Sequence, residues 1–147
     1  MANAQDVLSM RFVPTQTQYA LFVLRVLTGL NLFLHHGWEK NPAHWADFMA
    51  HFADPIGIGM HASFLIAFVS DFVCAILVTI GLATRWAALF CFCNIFVAWA
   101  FYHHFACFGK GPGEHGELIV LYLVAMLTLF LAGPGEMSLD HLLAGKR

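Results

Sequence analysis

The chain has 147 residues, is 60% hydrophobic and 11% charged, against roughly 25% charged in an ordinary soluble domain, and its net charge is -2. A soluble fold of one domain cannot hide that much apolar surface, so the expected solvent is a bilayer. The charge balance excludes a nucleic-acid partner, which would call for a basic face.

The first 18 residues, MANAQDVLSMRFVPTQTQ, are too polar for a secretory signal peptide, and the first apolar span is expected to act as its own insertion signal. A span needs about 20 mostly apolar residues. Four stretches qualify: 19–38, 60–82, 86–108 and the shortest, 117–132. Helices are predicted for all four, because a helix satisfies its own backbone groups in lipid. Gly81, Ala83 and Thr84 predict a tight turn between spans two and three, with Thr84 as N-cap of the third. GKGPGEHG reads as a glycine-rich loop before span four. GPGEMSLD stops that span, and Ser138 is placed to cap a short interfacial helix through His141 and Leu142. In the long loop 39–59, Trp45, Phe48, Met49 and Phe52 fall at helical spacing. This is either an amphipathic segment at the membrane surface or a partly ordered loop.

The fold class is therefore all-α: one integral-membrane four-helix bundle over 1–147, built as two antiparallel hairpins. Orientation follows lysine and arginine. Arg11, Arg85, Lys146 and Arg147 lie on one side, Lys40 and Lys110 on the other, so both termini are expected in the cytoplasm. Eight of the nine histidines then fall at or beyond the outer end: His35, His36, His44, His51, His61, His103, His104 and His115. That mouth is rich in groups that titrate near neutral pH or bind metal.

Arg25 and Asp71 are charges at membrane depth, costly in hydrocarbon, and so point to function by default. Counting the helical rise, their depths are similar enough for the two to pair or to share a polar cavity, either as part of a site or as an ion pair that fixes register. Arg25, Gly29 and His36 lie on one stripe of span one, with Lys40 near its extension. Gly29 would let another helix or a ligand approach closely. Asn31 and Asn94 are further polar groups, expected to hydrogen-bond between helices.

Adjacent helical residues point about 100° apart, so at most one histidine of each pair, His35-His36 and His103-His104, faces inward. An outer pocket could combine His36, one of His103 or His104, and Glu117. Three readings of it stay open: interfacial histidines, a protonatable pocket for a small redox molecule, or a metal site on His36, His104 and Glu117. No HxxxH or HxxE spacing supports the metal. Cys91 and Cys93 lie about 200° apart round a helix and cannot pair. Without a CxxC, the cysteines read as small apolar residues.

Three segments carry a family resemblance. LRVLTGLNLFLHHGWEK resembles the first-span signature of DoxX-like membrane proteins, where an arginine precedes a glycine and a His-Gly pair with a nearby lysine closes the span. SDFVCAILVTIGLATRWAAL resembles their second signature, an acidic residue opening a small-residue helix that ends in Gly-Leu-x-Thr-Arg. GEHGELIVLYLVAMLTLFLAGPGEMSLD resembles the closing one. The likeness covers about residues 19 to 140. Asp71 stands where glutamate is usual, and Val73-Cys74-Ala75 where a glycine pair is usual.

The resemblance implies a four-helix bundle in a bacterial or archaeal inner membrane and a subunit of a redox system. The best-known type is similar to a subunit of a thiosulfate:quinone oxidoreductase, others are linked to oxidative-stress complexes, and distant relatives act as cargo receptors. It points to Arg25, His36, Lys40, Asp71, Arg85, Glu117 and Asp140.

The first functional expectation is a quinone-linked subunit with a partner redox protein. Arg25, Lys40, Asp71, His103 and His104 would line the pocket, and His36 and Glu117 would relay protons. No covalent haem, flavin or iron–sulfur motif is present to carry electrons. The alternatives are a non-enzymatic anchor or assembly factor, or a carrier of a small molecule or metal ion. The other partners expected are membrane lipids and, for a homo-oligomer, further copies of the chain.

Overall fold

A computed structural model describes residues 16–107 and 116–145, which are helical with no strand among them. Arg11, Lys110, Lys146 and Arg147, which carry most of the expected orientation, lie outside this set. So do His115, most of the glycine-rich loop, and the side chains of His44 and Asp47.

Helix α1 runs continuously over Thr17–Lys40, α3 over Met60–Ile80 and α4 over Thr84–Tyr102; all three are long and apolar enough to cross a membrane. Between α1 and α3 lies the short helix α2, Trp45–His51. The fourth apolar helix, α5, Gly116–Ala132, is shorter, and α6, Leu139–Ala144, closes the chain. Helix α4 is shorter than the expected 86–108. A wide turn loosens its last residues, and His104 and Phe105 then take left-handed conformations (φ 48° and 57°) that no helix continues through.

The long helices pack antiparallel because glycine and alanine let their backbones meet. A Cβ on Gly29 would stand 2.8 Å from the Ala75 carbonyl oxygen, and one on Gly37 2.8 Å from the Asp71 carbonyl carbon. Any side chain at Gly37 pushes α1 off α3. Ala75, Ala87 and Ala88 are buried in the core that the long helices share. Small-residue contact of this kind substitutes for the hydrophobic effect where the surrounding solvent is itself apolar. Asn31 receives the Tyr122 hydroxyl, joining α1 to α5.

Helix ends follow local chemistry. Gly81 takes the left-handed conformation (φ 76°), and Gly81 and Leu82 both donate back to the Leu77 carbonyl, closing α3. Ser138 Oγ accepts from the His141 amide at 3.2 Å, capping α6 as its position predicts. Thr84, however, is not the N-cap of α4. It is the first helical residue, and the amides of Ala83 and Thr84 donate to Asp140 at 2.7 and 2.9 Å. A full carboxylate 56 residues on complements the positive end of the helix better than a local hydroxyl.

Three wide, π-helical turns interrupt α1 (Phe33–Gly37), α3 (Val69–Cys74) and α4 (Ala98–Tyr102). Such turns change the helical phase and recur at functional sites. Beside them, α2 lays its aromatic face on α3. Trp45 meets Phe64 and Phe68 edge-on, Phe48 stacks on Phe64, and the Trp45 indole donates to the Lys40 carbonyl at 2.9 Å.

The α2–α3 connection is held by Asp54, which accepts from Ile58 N (3.0 Å), Gly59 N (2.7 Å) and Ser63 Oγ (2.9 Å). Desolvation alone would raise its pKa. The hydrogen bonds outweigh that and hold it below the ordinary aspartate value. A lowered carboxylate pKa stabilises the fold fully above the unfolded value of about 3.9, and that contribution is lost as pH falls through the folded value. Amide exchange at Ile58 and Gly59 is therefore expected to lose protection under acid, and Asp54→Asn to abolish the pH dependence; equal protection in both proteins at every pH would refute the role.

Candidate functional site

Two buried polar centres sit at opposite ends of the α1–α3 pair. In the first, Arg25 is 1% exposed. Its Nη1 donates to the carbonyls of Val78 (3.1 Å) and Thr79 (2.6 Å), and Nη2 to that of Met137 (2.6 Å). Val78 and Thr79 belong to the last turn of α3, the negative end of the helix, where a cation is stabilised, and Met137 belongs to the 133–138 turn. Asp140 stands close by, and its own amide donates to Gly81 O at 2.8 Å. Arg25 and Asp140 thus tie the α3–α4 turn to the 133–138 turn.

The expected pairing of Arg25 with Asp71 does not form. Side chains on a helix lean toward its N-terminus, so Arg25 reaches away from Asp71, toward Val78 and Thr79. Asp71 lies seven residues from Val78, about 10 Å along the axis, too far for Arg25 to serve both.

The same lean brings Lys40 inward. From the last turn of α1 it points back along the helix, and its ammonium lies 3.2 Å from Asp71 Oδ2, 3.4 Å from Glu39 Oε1 and 2.7 Å from the His36 carbonyl. Lys40 is 5% and Asp71 8% exposed. From α4, the Asn94 amide donates to Asp71 Oδ1 at 3.4 Å. Wide turns hold both acid and lysine: Asp71 lies inside that of α3, and Lys40 follows that of α1.

Lys40, Asp71 and Asn94 form the floor of a cavity of about 760 Å³ between α2, α3 and α4. Its walls are Phe48, Phe52, Ile56, Ile58, Ile66, Phe90 and Val97, with His51, Cys93 and Tyr102 also lining it. The volume falls within the roughly 300–1,000 Å³ of small-molecule pockets, and a greasy wall with a few convergent polar groups is their usual make-up.

The other candidates stand elsewhere. The His36 ring meets Tyr122 of α5 edge-on, 6.1 Å between centroids, so only its backbone joins the floor. His103 packs against Tyr102, and His104 is exposed. Glu117 is exposed on the first turn of α5. None of these four, nor Arg25, lines the cavity. Among the described residues, no three His, Cys, Asp or Glu side chains converge to hold a metal ion. Sequence reasoning missed Glu39 as a partner of Lys40 and treated Asn94 only as a link between helices. The aromatic spacing of 45–52 was the available signal for the cavity roof.

Removing one member of a buried ion pair leaves the other uncompensated, at about 3–5 kcal/mol, whereas replacing both by apolar residues is often neutral. Lys40→Met and Asp71→Leu are each expected to lower stability in detergent strongly, and the double variant to recover most of the loss. Simple addition of the two losses would show that the pair is not coupled.

A family model described as DoxX matches residues 20–104, more than half of the chain. The match takes in Arg25, Lys40, Asp71 and Asn94. No curated protein and no solved structure gives a significant match. The chain belongs to the DoxX family, and with its long apolar helices it is a multi-pass membrane protein.

Proposed function

We propose that this DoxX-family protein is the membrane subunit of a redox system, and that the cavity over Lys40, Asp71 and Asn94 holds a quinone or quinol. The observation that carries this reading is a floor of one ion pair and one amide in a mostly apolar cavity. Lys40 and Asp71 neutralise each other, and Glu39 adds a negative charge beside them. An anionic substrate would be repelled by the Asp71 carboxylate at the floor and by Glu39 on the far side of Lys40, whereas a neutral ring with oxygen substituents would not. A bound quinone supplies two-electron, two-proton chemistry. The protein's own part is to orient and to manage protons. The Lys40 ammonium and Asn94 amide are donors toward a carbonyl oxygen, and the Asp71 carboxylate is an acceptor for a hydroxyl. Lys40 bridges Asp71 to Glu39, whose side chain is about half exposed, giving a proton route from floor to surface.

In this reading α5 is a fourth span, both termini are cytoplasmic, and the Lys40 end faces outward from a bacterial or archaeal cytoplasmic membrane. A partner redox protein exchanges electrons with the pocket. The Arg25 centre favours a second reading for its own end of the molecule: it is a structural tie, as expected of an anchor or assembly factor.

Native mass spectrometry of the protein in lipid nanodiscs supplied with a short-chain benzoquinone tests the pocket. One bound quinone is expected. Asn94→Leu, which leaves the ion pair in place, should weaken binding about tenfold, equivalent to about 1.4 kcal/mol, at unchanged protein yield. Arg25→Ala should instead reduce yield. A protein that never retains quinone, with Asn94→Leu silent, would leave the anchor reading.

A further inference from the structure

The antiparallel register of α3 on α4 that sets Asp71 against Asn94 also sets Cys74 against Cys91, one turn along each helix from the cavity floor. Each cysteine lies three residues from its floor residue, about 4.5 Å along the axis. Cys91 Sγ donates to the Ser70 carbonyl at 3.3 Å, and Ser70 lies one helical turn before Cys74 on α3, so the Cys91 side chain meets α3 beside Cys74. Cys91 is 0% and Cys74 7% exposed, and both are free thiols. Cys93 faces the cavity and Cys107 is exposed, so each of those thiols is apart from this pair.

Taking the cavity as a quinone pocket, we propose that Cys74 and Cys91 are a redox-active dithiol that exchanges two electrons with the quinone. In the oxidising direction the two S–H bonds break, one S–S bond forms between Cys74 and Cys91, and two protons and two electrons pass to the quinone, which leaves as the hydroquinone. The reverse step returns the dithiol. The equation balances within one protein and one quinone, so the chain carries its own electron store although it has no haem, flavin or cluster motif. Burial defines the oxidant class. A solution disulfide cannot reach thiols inside the bundle, whereas a neutral, lipid-soluble quinone enters one turn away. Asp71, one turn from Cys74 on the same helix, is the nearest base at the floor; exchange chemistry runs through the thiolate.

The test uses the whole protein in nanodiscs, reduced, freed of reductant and kept anaerobic, with a short-chain benzoquinone as probe. The expected result is loss of two hydrogen masses from the intact protein, a Cys74–Cys91 disulfide in the peptide map, and one hydroquinone formed per protein. Cys74→Ala and Cys91→Ala should each abolish the reaction while native mass spectrometry still shows bound quinone. The Cys107→Ser variant, whose thiol lies outside the cavity, should react as the parent does. Thiols that stay reduced while quinone is bound would overturn the dithiol and leave the pocket standing. Absence of bound quinone would overturn both.

Discussion

A charged group surrounded by apolar side chains must find its counter-charge inside the protein, and the Lys40–Asp71 pair is where this chain meets that demand. The pair joins the last turn of α1 to the middle of α3, and Asn94 brings in α4. For the pair to form, α1 must lie close on α3, which Gly29 and Gly37 allow. The helix must also turn Lys40 inward, which the wide turn before it makes possible. The cavity lies over this polar point between α3 and α4, and the rings of the α2 region line its other side.

The opposite end solves the same problem with backbone. Among the described residues no carboxylate is in ion-pair contact with Arg25, although Asp140 stands near it. Arg25 takes three carbonyl oxygens instead, while Asp140 takes two amides at the start of α4. Cation at a helix C-terminus and anion at an N-terminus is the arrangement that helix dipoles favour. The division of labour follows: the Arg25 end is closed by main-chain hydrogen bonds and holds the helices together, whereas the Lys40 end keeps a polar floor open to a cavity.

Much of this was legible in the residues. The apolar runs placed the helices, Gly81 and Ser138 marked ends, and Arg25 and Asp71 stood out as charges where charge is costly, while Lys40 was singled out only by the stripe of span one and the family resemblance. The partners were not legible. Pairing Arg25 with Asp71 assumed that depth along the axis decides contact, and ignored the lean of side chains toward the helix N-terminus. The stripe through Arg25, Gly29, His36 and Lys40 assumed a regular helix. The wide turn at Phe33–Gly37 changes the phase, so Lys40 enters the cavity while the His36 ring meets Tyr122. The Asp71–Asn94 and Cys74–Cys91 contacts depend on how α3 slides along α4, which hydropathy does not encode.

The central claim is that a neutral ring binds over Lys40, Asp71 and Asn94 beneath the aromatic α2 region, and photolabelling tests it most directly. A photoreactive benzoquinone, activated in nanodiscs and mapped by peptide, should mark Phe48–Ile58, Ile66–Asp71 and Phe90–Val97, and excess unlabelled quinone should remove the label. Label confined to the outer faces of α1 or α5, or indifferent to competition, would contradict the account.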